Sequence, residues 1–219
     1  MHEPFPESVV IKPIIAALAA LVGLLAAPSF AQAPKAAAVP QNPQMTRAQE
    51  IVNGRCSLCH GAEGESASPI FPRLAGQHPE YIAKQLADFK SGRRKGTMND
   101  QAKELTEEEM KALGAFFSGK KPKAYTVGDQ DLAAVGRYIY HKGNTYSGVA
   151  ACAGCHGATG DGTDQLPRLA GQHAAYLEGQ LKDFNKRERT NDNAVMHAIA
   201  SKLTELEMRA VSVYLSGKL

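Results

Sequence analysis

The sequence predicts an all-α protein made of two similar domains related by internal duplication. Three observations point there. The stretch CHGAEGESASPIFPRLAGQHPEYIAKQLADF from Cys59 returns, one residue shorter, as CHGATGDGTDQLPRLAGQHAAYLEGQLKDF from Cys155. Further on, ELTEEEMKALGAFFSGK returns as KLTELEMRAVSVYLSGK at an offset of 98 residues, a period far too long for a solenoid unit. Apolar residues in both copies recur at helical spacing, and no run alternates in the two-residue period of a half-buried strand.

The elements follow in chain order. Residues 14–27, IIAALAALVGLLAA, carry no charge and lead into Pro28 and a run of small residues, the pattern of a secretory signal peptide over 1–31. The leading segment holds Glu3, Glu7 and Lys12 and so departs from the usual basic start. Left uncleaved, the run would give membrane association, although a span needs about 20 apolar residues. Residues 32–45, rich in Pro, Ala and Gln without periodicity, read as a flexible tail.

The first domain is expected over 46–121, a linker over 122–128 and the second domain over 129–219. In the first, Ile82, Leu86 and Phe89 fall on one side of a helix, and the segment from Tyr176 to Phe184 repeats that spacing in the second. Thr106 with Glu109, and Thr204 with Glu207, have the spacing of capping boxes, in which hydroxyl and carboxylate satisfy each other's free amides. Behind them Met110, Leu113 and Phe117, and likewise Met208, Val211 and Leu215, share one helix face.

Charge excludes more than it suggests. Residues 34–124 carry 14 basic and 10 acidic side chains, residues 125–219 carry ten of each, and nothing approaches the basic density of a nucleic-acid binder. Arg93, Arg94 and Lys95 form a basic cluster that could orient a partner. Aromatic residues are only 6% and tryptophan is absent, a thin supply for two small cores.

All four cysteines lie in CSLCH, from Cys56 to His60, and CAGCH, from Cys152 to His156. A shared zinc site is a poor fit, because 92 residues separate Cys59 from Cys152 where zinc ribbons space their pairs by about 15 to 20. A thioredoxin-like dithiol wants a strand before the motif, and none is visible. C-x-x-C-H uses every residue: two thiols form thioethers to the vinyl groups of one haem, and the adjacent imidazole supplies the proximal ligand to iron. Cys56, Cys59, Cys152 and Cys155 are therefore read as attaching two haem c groups, with His60 and His156 on the irons. Two bound haems would also fill the thin cores.

For the sixth position each half offers two methionines. Met110 and Met208 sit on core faces of the capped helices, whereas Met98 lies in polar surroundings, KGTMNDQ, and needs another reason. Met196 matches it, with Val195, Ala198 and Ile199 beside it as core candidates. Met98 and Met196, 38 and 40 residues after their histidines, are assigned as thioether ligands. His78, His173 and His197 are rival donors, with a surface or helix-start position as the ordinary alternative. Thioether ligation raises the reduction potential, and an iron with two protein ligands has no place for substrate, so the reading is an electron carrier and not an enzyme.

The two CxxCH motifs, the paired PRLAGQH stretches, the Y…QL.DF segments and the late Met of each half resemble the dihaem cytochrome c4 family over roughly residues 45–219. The resemblance implies two class I cytochrome c domains about a pseudo-twofold axis, haems near their interface, and a periplasmic role between a respiratory reductase and a haem-copper oxidase. It implies that the carbonyls of Pro72 and Pro167 accept the Nδ1 protons of His60 and His156. It also implies that Tyr81 and Tyr176, and more weakly Arg73 and Arg168, reach haem propionates. The approach to Met98 is shorter and more polar than that to Met196. Two alternative functions remain: the cytochrome subunit of a flavoprotein dehydrogenase of the sulfide-oxidising type, and a dihaem peroxidase, which would need one open distal site.

Overall fold

The computed structural model describes residues 42–217, so the expected signal peptide and residues 32–41 of the expected tail lie outside the described residues. Ten α-helices form among them, in two sets of five. The first set is α1 (Pro43–Ile51), α2 (Ser57–His60), α3 (Pro79–Lys90), α4 (Met98–Ala102) and α5 (Glu107–Ser118). The second is α6 (Gln130–Lys142), α7 (Ala153–His156), α8 (Ala174–Asn185), α9 (Val195–Ala200) and α10 (Glu205–Ser216). No strand forms among the described residues, and an isolated bridge joins Asn144 to Val149.

The tail ends earlier than expected, because Asn42 caps α1 by accepting the Gln44 amide and Pro43 occupies the first turn, where its missing N–H costs nothing. The expected capping boxes open α5 and α10: Thr106 accepts the Glu109 amide at 3.1 Å, Thr204 that of Glu207 at 3.2 Å, and each carboxylate returns to its threonine amide. Met110, Leu113 and Phe117 are buried, as are Met208, Val211 and Leu215. In the first set they join Ile51, Val52, Ile82, Phe89 and Leu105 in one apolar cluster. In the second the apolar residues divide in two, around Met208 with Ile139 and Leu203, and around Tyr140 with Leu177, Val211 and Leu215.

Each histidine turn ends on a glycine. Gly61 and Gly157 take φ of 75° and 81°, which stops the helix one residue after the histidine and turns the chain away. The linker is pinned to the first half: Glu65 accepts the Lys123 amide at 2.8 Å and the Tyr125 hydroxyl at 2.7 Å, and the Tyr125 ring lies 3.4 Å from the Arg73 guanidinium.

Candidate functional site

The cysteine–histidine turns are built alike. Cys56 and Cys59, and Cys152 and Cys155, stand three residues apart on a helical turn, and no disulfide joins them. His60 and His156 end their turns and are buried. The Pro72 carbonyl lies 2.9 Å from His60 Nδ1 and the Pro167 carbonyl 3.4 Å from His156 Nδ1. A carbonyl only accepts, so in each ring Nδ1 carries the proton and Nε2 keeps its lone pair for a metal. Burial lowers both imidazoles below their ordinary value, which keeps that lone pair free at neutral pH.

Met98 and Met196 occupy the first and second residues of α4 and α9, both half-buried. Each precedes the capping threonine of its half by eight residues. Met98 packs on the same apolar cluster as Cys56 and Leu74. Among the described residues Met196 joins neither cluster of its half, its neighbours Val195 and Ala198 are exposed, and Asp192 accepts its amide at 2.6 Å. Of the three neighbours that suggested a core position for Met196, only Ile199 packs on an apolar cluster, whereas Met98 itself does so.

The rival histidines have other work. His78 and His173 stand at the N-caps of α3 and α8, and each Nε2 donates to the opposite half: His78 to the Asp161 carbonyl at 2.7 Å, His173 to that of Ser66 at 2.9 Å. His197 Nδ1 donates to the Phe184 carbonyl at 2.9 Å and ties α9 to α8.

The halves are joined by an exchange of matched contacts. Gln172 accepts the Arg73 amide and donates to the Arg73 carbonyl, while Gln77 does the same for Arg168, all at 2.8 to 2.9 Å. Deeper in, buried Arg94 donates to Gln85 of its own half and to Tyr176 and Gln180 of the other. Buried Arg189 answers with Gln180, and with Tyr81 and Gln85 across the interface. Contacts that swap residue for residue are what a twofold relation between copies requires. Burial alone would raise the Tyr81 phenol, but Arg189 and Arg94 outweigh it and lower the group. Each tyrosine accepts from a guanidinium and so keeps its own O–H to donate, which suits a carboxylate.

The sequence missed this interface. Arg94, expected in a surface cluster, is buried because its partners lie across the interface; Arg93 pairs with Asp88 at 2.8 Å. The available signal was PRLAGQH itself. Gln77 and Gln172 sit at one repeat position, and so do His78 and His173.

The residues present fit a covalent haem in each half. The cysteines of each pair are correctly spaced and no disulfide joins them, and each histidine presents Nε2. The Nε atoms of Arg73 and Arg168 are buried without a hydrogen-bond partner; that of Arg73 lies 3.6 Å from the Glu65 carboxylate, while that of Arg168 is an orphaned donor of the kind a carboxylate would satisfy. Among the described residues no three His, Cys, Asp or Glu side chains gather to hold a metal, and the two cysteine pairs belong to separate halves.

Two helical domains, each with its own thiol pair and fixed histidine, define a dihaem c-type cytochrome. The family pattern described as "Cytochrome c" matches residues 140–217, and that described as "Cytochrome C oxidase, cbb3-type, subunit III" matches residues 43–117. Over 185 residues the chain is 44% identical to cytochrome c4 of Thiocapsa roseopersicina, covering 83% of this chain and 96% of that one. The crystal structure of reduced recombinant cytochrome c4 from Pseudomonas stutzeri superposes with a TM-score of 0.75 at 36% identity, over 80% of this chain and 98% of that one. A thiosulfate dehydrogenase electron acceptor of Thiomonas intermedia is 35% identical over 170 residues, 74% of this chain and 78% of that one. The chain belongs to the cytochrome c4 family, carries two covalently bound haem c groups and transfers electrons without being an enzyme.

Proposed function

We propose that the chain is a periplasmic shuttle in which His60 with Met98, and His156 with Met196, ligate the two irons, and Cys56, Cys59, Cys152 and Cys155 hold the haems. The observation that carries this reading is the matched build of the halves, a histidine held through Nδ1 at one end and a methionine eight residues before the capped helix at the other. Filling both axial positions leaves electron transfer as the chemistry and gives a high potential through the thioether. Tyr81, Tyr176, Arg73 and Arg168 suit the propionates.

A respiratory reductase as donor and a haem-copper oxidase as acceptor are the partners of this reading, with export through the residue 1–31 segment. An optical spectrum of the oxidised protein tests the ligands. Two haems by pyridine haemochrome, with the near-red methionine-to-iron(III) band at two-site strength, are expected. A half-strength band would leave one iron open, as a peroxidase needs, or bound by two histidines.

A second reading has a dehydrogenase as donor, and the thiosulfate dehydrogenase acceptor among the relatives favours it. That relative supports the dehydrogenase more than the sulfide-oxidising flavoprotein. Co-purification of a flavoprotein would support the latter, and reduction by a thiosulfate-oxidising enzyme the former.

A further inference from the structure

We propose that Asn99 and His197 are positioning residues for the two thioether ligands: each ties the residue after its methionine to the carbonyl of a phenylalanine, and so holds the sulfur in place. The inference rests on the reading of Met98 and Met196 as ligands and adds what keeps them there.

The two residues stand at one repeat position, each directly after its methionine. Asn99 Nδ2 donates to the Phe89 carbonyl at 2.6 Å, and His197 Nδ1 donates to the Phe184 carbonyl at 2.9 Å. Phe89 and Phe184 are themselves repeat partners, near the ends of α3 and α8. The bonds span 10 residues in the first half and 13 in the second, yet they join the same two positions. An amide and an imidazole share little beyond a planar N–H donor. A contact kept through a change of loop length and a change of side chain marks a constraint on position.

The anchors are rigid. Both phenylalanines are buried, and each ring lies under an interface guanidinium, that of Arg94 at 4.6 Å and that of Arg189 at 4.5 Å. Those arginines are held in turn across the interface, Arg94 by Tyr176 and Gln180, Arg189 by Tyr81 and Gln85.

The methionines need such a hold from outside. Their helices have five and six residues and no side-chain cap, too short to persist on their own. Asn99 does more than His197: its Oδ1 accepts the Gly96 amide at 2.7 Å, and its Nδ2 also reaches the Arg94 carbonyl at 2.9 Å. In the second half Asp192 shares the work by accepting the Met196 amide.

The test follows, by stopped flow, the exchange of thioether for imidazole in the oxidised holoprotein. At imidazole concentrations where the rate no longer rises, it reports the sulfur leaving the iron, with one phase for each haem. His197→Ala should speed one phase about fivefold, the change that one net hydrogen bond of about 1 kcal/mol gives. Asn99→Ala, which loses three bonds, should speed the other at least about tenfold. His197→Asn, which can repeat the first-half bond, should stay within about twofold of the parent. Thr106→Ala and Thr204→Ala remove a helix cap and leave the tie intact, so they should lower the melting temperature and move neither phase more than about twofold.

Alanine variants that exchange at the parent rate would overturn the proposal. Cap variants that speed exchange as much would overturn it too, since the tie would then act through stability alone. So would a His197→Asn chain as fast as His197→Ala, because the bond would not be what holds the sulfur. Asn99→Leu and His197→Phe keep the bulk without the donor, and they decide the matter where an alanine chain fails to take up haem. A parent whose near-red band falls short of two-site strength would instead refute the ligand reading.

Discussion

In the first half five residues in a π-helical turn, Val52–Cys56, carry the chain from α1 into the cysteine motif, whereas in the second nine residues separate α6 from Cys152. That longer loop is held by the Asn144 to Val149 bridge and by Lys202, whose Nζ donates to the Gly148 carbonyl at 3.1 Å. The capping carboxylate of the last helix adapts to the difference. Glu109 takes Arg47 of α1 at 2.9 Å, and Glu207 takes Asn144 of the inserted loop at 2.7 Å. The copies thus keep one job, tying the last helix to the start of the domain, while exchanging the residue that does it. What they hold in common is the histidine turn and the glutamines that face each other.

The strongest contrast is in the pairing of first and last helices. A Cβ built on Gly136 would lie 2.0 Å from the Ala210 carbonyl oxygen, so α6 crosses α10 with no room for a methyl group. At the same place in α1 stands Ala48, fully buried. Gly136→Ala should cost about 3 kcal/mol in thermal unfolding, because the clash is with backbone that cannot rotate away. Ala48→Gly should cost about 1 kcal/mol from helix propensity and a lost methyl. A neutral Gly136→Ala would mean that the two crossings are equally loose.

The glutamine clamps give a second test. Gln77→Ala or Gln172→Ala leaves a part-buried amide and carbonyl of the other half without partners, at about 2 kcal/mol for each variant. Reciprocal contacts predict equal losses. If Gln172→Ala costs less, Tyr125 and the further bond from Arg73 Nη1 to the Gly171 carbonyl hold that side, which the second half has no linker to copy. Calorimetry resolving two transitions in the double variant would show that the clamps join the halves into one unfolding unit.

Local features were legible in the sequence because they depend on neighbours along the chain. The capping boxes, the core faces of α5 and α10 and the cysteine turns all follow from spacings of three to seven residues. Arg94 and Arg189 were not legible, because their bonds run to residues 82 to 108 positions away and their local context looks like solvated charge. The start of α1 was missed for a different reason: Asn42–Pro43 is a cap signal, but it lies at the end of a Pro-rich tail where prolines read as breakers.

The carboxylates that tie each last helix should separate with pH. Thr106's backbone amide and Arg47 hold Glu109 below its ordinary value. Burial would raise Glu207, but the bonds from Asn144 and Thr204 outweigh it and lower the group. A carboxyl lowered by folding contributes fully above its unfolded value and loses that contribution as pH falls through the folded one. Glu207→Ala, which removes a cap and a buried bond, should cost about 2 kcal/mol at pH 7 and progressively less below about pH 4. Glu109→Ala should cost less, since its Arg47 partner is exposed. Equal losses at pH 7, measured by denaturant unfolding, would mean that the inserted loop adds nothing.

The approaches to the two methionines supply the smallest effect. Gly92 and Gly96 take the positive φ values, 75° and 148°, before Met98, whereas Arg187, Asn193 and Ala194 take 60°, 54° and 65° before Met196. Arg187 stands at the repeat position of Gly92, so the second half accepts left-handed backbone at a side-chain-bearing residue where the first uses glycine. Arg187 is exposed, and no bond among those described uses its side chain. Arg187→Gly should therefore stabilise the second half by about 0.5 to 1 kcal/mol, the relieved strain exceeding the entropy that glycine adds to the unfolded chain. Gly92→Ala should destabilise the first by a similar amount, because a Cβ there meets nothing within 4 Å and only backbone strain acts. Opposite signs in the two melts would establish that the approach to Met196 is held against its local preference by the Arg189 network, and equal signs would place the difference elsewhere.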